Sequence, residues 1–256
     1  MNLKENTKDL ITYLQNEAHI TNTLPTDIDH AFNMYRDLVN VRNPKLLPEK
    51  YLNIQDEFLK EYNHDIVNFN DLSPIKNNSQ LYLFQGDITT LKIDGIVNAA
   101  NSDLLGCFIK GHHCIDNIIH TKAGVQLRYE CSKIMEAQGR KEAVGRAKIT
   151  DAYNLPSKYV IHTVGPYVKN KQASNMQKDL LKKCYTSVLK LADENNLESL
   201  AFCSISTGVF GFPKEEAAII ATDAVKQYLE DTHSTINVVF NVFSNEDYEI
   251  YNRILN

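Results

Sequence analysis

From residue 80 onward the chain alternates short apolar runs with longer segments of helical periodicity, and this alternation restricts the fold more than any other feature. Runs at 81–84, 95–97, 147–150, 159–164, 200–205 and 236–243 read as strands, most of them apolar throughout, as strands covered on both faces are. Segments at 115–136, 175–195, 214–231 and 246–255 read as helices. The third of these has a start signal: Pro213 suits a first turn, and Glu215 and Glu216 complement the helix dipole. The pattern predicts a layered α/β domain with a mixed sheet. Ligands of such sheets sit at the carboxyl ends of strands, so chemistry is expected after Val97, after Val164 and after Ile205.

Residues 1–75 carry apolar positions at helical spacing, among them Leu10, Leu14, Phe32, Tyr35, Leu38 and Val39, interrupted by Pro25, Pro44 and Pro48. They read as an N-terminal helical extension that covers one face of the sheet. The polar stretch 68–80, with Ser73-Pro74 and Asn77-Asn78-Ser79, reads as a linker, and the main domain occupies residues 80–256. A net charge of −5 disfavours broad capture of nucleic acid or of an anionic membrane surface. The N-terminus has no long apolar run behind a basic start, which predicts a cytoplasmic protein. Five cysteines, an odd number spread over 256 residues, point to metal binding, catalysis or core filling rather than to a disulfide framework.

The segment Ser204-Ile205-Ser206-Thr207-Gly208-Val209-Phe210-Gly211-Phe212-Pro213 joins an apolar strand to a helix. Its glycines allow tight turning, main-chain amides can converge on an anion, and the helix N-terminus adds a favourable partial charge. It matches neither the Walker pattern nor the dinucleotide fingerprint. A plain strand-to-helix turn is the competing reading. Upstream, Asn98 and Asn101 in Val97-Asn98-Ala99-Ala100-Asn101 offer amide donors and acceptors where sugar hydroxyls could be held, or form an ordinary polar turn.

Taken together, Gly86-Asp87-Ile88-Thr89, Val97-Asn98-Ala99-Ala100-Asn101, Ile161-His162-Thr163-Val164-Gly165-Pro166 and Ser206-Thr207-Gly208-Val209-Phe210-Gly211 resemble the macrodomain family in order and spacing. The resemblance covers nearly all of residues 80–256 and implies a three-layer α/β/α sandwich that binds ADP-ribose above its sheet. It implies that Asp87 bonds the adenine amino group with the Ile88 backbone nearby, that Ser206, Thr207, Gly208, Val209 and Phe210 wrap the pyrophosphate, that Asn98 and Asn101 face the distal ribose, and that Ile115 and Asp116 also belong to the ADP-ribose-binding set. Phe243 would lie near adenine, its alternative being a strand end that feeds the core.

Between the Asn pair and the first main helix lies Gly106-Cys107-Phe108-Ile109-Lys110-Gly111-His112-His113-Cys114. A Cys, four residues, His, one residue, Cys arrangement can converge soft and borderline ligands on one ion, and zinc suits two thiolates and an imidazole. The pattern resembles the zinc-dependent subclass of microbial macrodomains, which implies Zn2+ on Cys107, His112 and Cys114, with His113 the alternative imidazole. Three protein ligands leave a fourth position open, as in catalytic zinc sites, although two thiolates make a weaker Lewis acid than imidazoles do. Asp116 aligns with the acidic residue of hydrolytic macrodomains, with a helix N-terminal carboxylate as its plainer role. Cys131, Cys184 and Cys203 lack ligand spacing.

The resemblance therefore implies removal of ADP-ribose from a modified protein by hydrolysis of an N- or O-glycosidic bond, with Asn101 and Asp116 as catalytic residues. It further implies a sirtuin-type transferase as partner and a lipoyl-carrier protein as target. The competing readings are a non-catalytic ADP-ribose reader braced by a structural zinc, and a hydrolase of small ADP-ribose derivatives.

Overall fold

The computed structural model describes residues 4–256. Five parallel strands form the middle of a mixed seven-stranded sheet: β3 (Asn78–Gln85), β9 (Asn237–Val242), β8 (Ser199–Phe202), β5 (Gly95–Ala100) and β7 (Tyr159–Val164), in that spatial order. The short β2 (Pro74–Ile75) closes one edge against β3 and β6 (Ala147–Asp151) closes the other against β7, both antiparallel. The central strands are apolar without alternation because both faces are covered, and β8 and the last five residues of β7 and β9 are buried. One covering layer is α6 (Asn175–Glu194), α7 (Lys214–Thr232) and α8 (Asn245–Leu255); the other is α4 (Ile115–Ala123) with α5 (Val125–Gln138). No helix among the described residues is long and apolar enough to cross a membrane.

Local differences from the sequence expectation have identifiable causes. The helix predicted over 115–136 is two helices, because Gly124 takes φ +99° and ψ 174°. A Cβ there would meet Gln126 Oε1 at 2.6 Å and Gln55 Nε2 at 2.7 Å, so the break accommodates a side chain from the extension. The strand predicted over 200–205 leaves the ladder after Phe202, which gives Cys203–Ile205 to the loop that follows. The stretch predicted as a linker is partly paired: β1 (Val67–Asn68) runs parallel to β4 (Leu91–Lys92), and β2 folds back onto β3.

The extension comprises α1 (Glu5–Glu17), α2 (Ile28–Asn40) and α3 (Glu49–Tyr62). Leu10, Ile11, Leu14, Phe32, Tyr35, Phe58 and Leu59 form a core of their own, which takes in Val125 of α5 and abuts Ile118 of α4. It therefore covers the α4–α5 layer rather than a face of the sheet, for the sheet is already screened by those helices. Polar contacts seal the joint. Arg128 on α5 donates through Nη1 to the carbonyls of Val39, Asn40 and Arg42 at 2.8, 3.0 and 2.7 Å, satisfying acceptors that the end of α2 leaves open.

Candidate active site

The expected ligand-binding end of the sheet gathers three loops, those following β5, β7 and β8. After β8, the amides of Thr207, Gly208, Val209 and Phe210 donate to no protein acceptor among the described residues. The turn is held elsewhere, by Gly211 N–H to Gly208 O and Phe212 N–H to Ser206 O, both 3.0 Å, and by Val168 N–H to Phe210 O at 2.7 Å. Four consecutive free amides ahead of the N-terminus of α7, which has no side-chain cap, make an anion cradle from backbone alone. Ser206 sits in the left-handed region (φ 66°), buried, and its hydroxyl has no hydrogen-bond partner among the described residues. Gly165 lies against it: a Cβ at 165 would overlap the Ser206 oxygen and approach Ile205 Cγ2 to 2.7 Å.

Asp116 is buried at the start of α4. Asn98 donates through Nδ2 to its Oδ1 at 2.8 Å, and Asn101 through Nδ2 to its Oδ2 at 3.3 Å. Burial pushes the Asp116 carboxyl up to about 6, against the opposing pull of the Asn98 amide and the Arg128 charge. The two asparagines are thus turned towards the carboxylate. Asn98 has no accessible surface, so it stands behind Asp116 and does not line the cleft as the sequence suggests. Asn101, half-buried, also donates to Gly106 O at 3.0 Å and accepts from Asp103 N–H at 2.9 Å, which ties the β5 exit to the following loop.

That loop brings Cys107, His112 and Cys114 together, their donor atoms all within 4.8 Å of one another. Cys107 Sγ and His112 Nδ1 are 3.4 Å apart, close to the about 3.5 Å that a tetrahedral zinc bound at about 2.3 Å to sulfur and about 2.0 Å to nitrogen requires. His113 is exposed and outside the trio. Cys114 caps α4, accepting from Asn117 N–H at 3.4 Å. Burial nevertheless pushes its thiol up to about 12, despite that amide, and the neighbouring Cys107 and Asp116 add to the rise. A divalent cation would supply the charge that two adjacent thiolates lack, so the donor set fits a metal.

The surroundings of Asp87 are more polar than the sequence suggests. Asp87 accepts from Thr89 N–H and Oγ1 at 2.9 and 2.6 Å, and pairs with Lys122 Nζ at 2.9 Å. Burial alone would raise its carboxyl, but the Lys122 charge and the Thr89 donors hold it below the ordinary range. A cavity of about 280 Å³ lies beside it, lined by Tyr62, His64 and Asp65 of the extension end together with Thr90 and Lys122. Ile88 is buried, Ile115 half-buried, and Phe243 projects from the end of β9 with 80% of its surface exposed.

Several contributors were given no role by the sequence, His162 among them although it lies in one of the four motifs quoted above. Besides Arg128 and Lys122, the buried His162 on β7 bonds Asn98 Nδ2 through Nδ1 (3.1 Å) and Thr150 Oγ1 through Nε2 (3.0 Å). Its neighbours His120 and Cys131 complete a second trio of potential ligands. Both ring nitrogens of His162 are already engaged, whereas neither ring nitrogen of the buried His120 has a hydrogen-bond partner among the described residues. The 3.6 Å separation of His120 Nε2 from Asp116 is too long for a hydrogen bond.

Residues 97–221 match the family model described as Macro domain. A Staphylococcus aureus (strain MSSA476) protein named protein-ADP-ribose hydrolase is 50% identical over 99% of this chain and 97% of its own length. A Treponema medium protein of the same name is 47% identical over the whole of both chains. Among solved structures, the Trypanosoma brucei macrodomain in complex with ADP-ribose superposes with a TM-score of 0.68 at 29% identity, covering 83% of this chain and 92% of that one. The Oceanobacillus iheyensis macrodomain with ADP gives 0.62 at 38% identity, covering 71% and 92%.

Proposed function

The chain belongs to the macrodomain family, and we propose on that premise that it is a zinc-dependent hydrolase that removes mono-ADP-ribose from a modified protein. The observation that carries this is the Asp116 carboxylate, oriented by two asparagine amides and set beside the Cys107–His112–Cys114 donor set. Relatives named protein-ADP-ribose hydrolase align along essentially the full chain, which supports the same activity here.

The free amides of 207–210 would hold the pyrophosphate, with Asp87 and the Ile88 backbone at the adenine and Phe243 against its face. The distal ribose would then lie between the anion cradle and Asp116. Asp116 accepts a proton from a water attacking the anomeric carbon as the bond from that carbon to the modified side chain breaks, the departing side-chain atom taking up a proton in turn, and the raised proton affinity of Asp116 suits that exchange near neutrality. Asn98, from behind, and Asn101, from the loop, fix the carboxylate so that it needs no reorganisation during the reaction. When bound, zinc would orient and polarise a water or ribose hydroxyl at its open position. A lipoyl-carrier protein as target, a sirtuin-type transferase as counterpart and a cytoplasmic setting complete the proposal; these rest on the subclass resemblance of residues 107–114.

The experiment is release of ADP-ribose from an ADP-ribosylated carrier protein by the wild type, by metal-stripped protein and by Asp116→Ala, with ADP-ribose binding measured alongside. Release should fall by at least about 100-fold in Asp116→Ala, the usual scale for a proton-transfer group, and should stop on metal removal. Binding without release by the wild type on every linkage tried would make the protein an ADP-ribose reader instead.

A further inference from the structure

We infer that helix α2 of the N-terminal extension is part of the metal-binding apparatus, with Arg36 and Asn40 as positioning residues for the loop that carries Cys107, His112 and Cys114. The inference rests on the zinc reading above and goes beyond it by assigning a task to the extension.

The loop spends little of its backbone on itself. Its internal bonds are His112 N–H to Ile109 O at 3.1 Å and Cys114 N–H to His112 O at 3.0 Å, and it turns at Gly106 and Gly111, both at positive φ. Phe108, Ile109 and Lys110 are exposed. A segment of this kind has to lose considerable conformational freedom before three donors can meet on one ion.

Side chains of α2 supply the missing constraints. Arg36 donates through Nη2 to the carbonyl of His112 itself at 2.7 Å, and through Nε to Asn117 Oδ1 at 2.9 Å. One planar guanidinium thus spans the backbone of a ligand residue and the first turn of the helix capped by Cys114. Asn40 accepts through a single Oδ1 from Gly111 N–H at 3.2 Å and from Asn117 Nδ2 at 2.7 Å, while its own amide donates to Thr121 Oγ1 at 3.0 Å. Asn117, buried, passes the constraint on by donating to Ile109 O at 3.2 Å. Three backbone positions of the loop, Ile109, Gly111 and His112, are therefore referenced to α2, and α2 is in turn pinned by Arg128, whose guanidinium also stands 4.3 Å over the Phe108 ring. Asp37 and Lys110 add an ion pair at 3.2 Å, which is too exposed to fix geometry.

The test compares zinc affinity, by competition with a chromogenic chelator, in the full-length wild type and in Arg36→Ala, Arg36→Lys, Asn40→Ala and Asp37→Ala, together with thermal unfolding of each metal-free protein. Loss of a group that orients a metal ligand costs about 10- to 100-fold in affinity, and that range is expected for Arg36→Ala and Asn40→Ala. Arg36→Lys should not restore it, since an ammonium cannot span both acceptors, and Asp37→Ala should bind as the wild type does. The cobalt(II)-substituted Arg36→Ala protein should show altered visible absorption, reporting a displaced ligand even where stability changes as well. Zinc affinity and cobalt spectrum unchanged in Arg36→Ala would overturn the inference, as would equal weakening in Asp37→Ala. A wild type that binds no zinc would overturn the zinc reading and this inference together, whereas a zinc-binding wild type with indifferent α2 variants removes only the inference.

Discussion

Gly165→Ala tests whether the conformation of the 204–211 loop is what creates the anion cradle. Gly165 needs no unusual backbone angle, so the perturbation is steric alone. The added methyl would overlap the Ser206 hydroxyl and approach Ile205 Cγ2 to 2.7 Å, well inside the 3.4 Å or more of an ordinary contact. Rotating the Ser206 hydroxyl inside its buried site would clear only the first contact; the approach to Ile205 Cγ2 remains, and further relief must come from moving the backbone that presents the free amides. Overpacking of this kind costs about 1–3 kcal/mol, and if most of it falls on the loop, ADP-ribose affinity should drop about 5- to 150-fold. Isothermal titration with ADP-ribose and urea denaturation separate the two effects. The double variant Gly165→Ala/Ser206→Gly removes the clashing oxygen and places glycine where φ is positive, and should recover most of the lost affinity. If Gly165→Ala bound ADP-ribose as the wild type does, or the double variant recovered nothing, the reasoning about the cradle would be wrong.

His162 should make stability fall with acid. Burial pushes its imidazole down to about 4, against 6.5 for an exposed histidine, so the unfolded chain takes up its proton first. The stability is fully present above pH 6.5, declines as the pH falls and levels off near 4. Two and a half pH units at about 1.4 kcal/mol each amount to about 3.5 kcal/mol, and urea midpoints between pH 7 and pH 4.5 should show a slope that His162→Gln reduces; an equal slope in the variant would contradict this. Phe243→Ala should leave the urea midpoint unchanged because the ring is 80% exposed, yet weaken ADP-ribose binding by about 2- to 12-fold, the value of one aromatic stacking contact of about 0.5–1.5 kcal/mol. Unaltered affinity would remove Phe243 from the adenine site.

Features of this chain set by near neighbours were legible in its residues. The strand runs and the strand-to-helix loop at 204–213 could be read because burial on both faces and turn chemistry write themselves into a few adjacent positions. The Cys107–Cys114 spacing likewise announced a donor cluster, and the structure gathers the three side chains it pointed to. The break at Gly124 was hidden because a lone glycine in a helical pattern is ambiguous, and the side chains crowded against it include Gln55, a residue of another helix.

What only the tertiary structure decided is how distant polar groups meet. Asn98 looks like a ligand contact at the end of its strand, and becomes the buried support of Asp116 once α4 is laid over β5. Arg36 and His112 are 76 residues apart and Arg128 and Val39 are 89 apart, and nothing in the pattern around any of them encodes the partner. Periodicity records which face of an element is buried, a property each residue carries alone. Hydrogen bonds between side chains and remote backbone depend on two elements arriving at a fixed distance, which is a property of the packed fold.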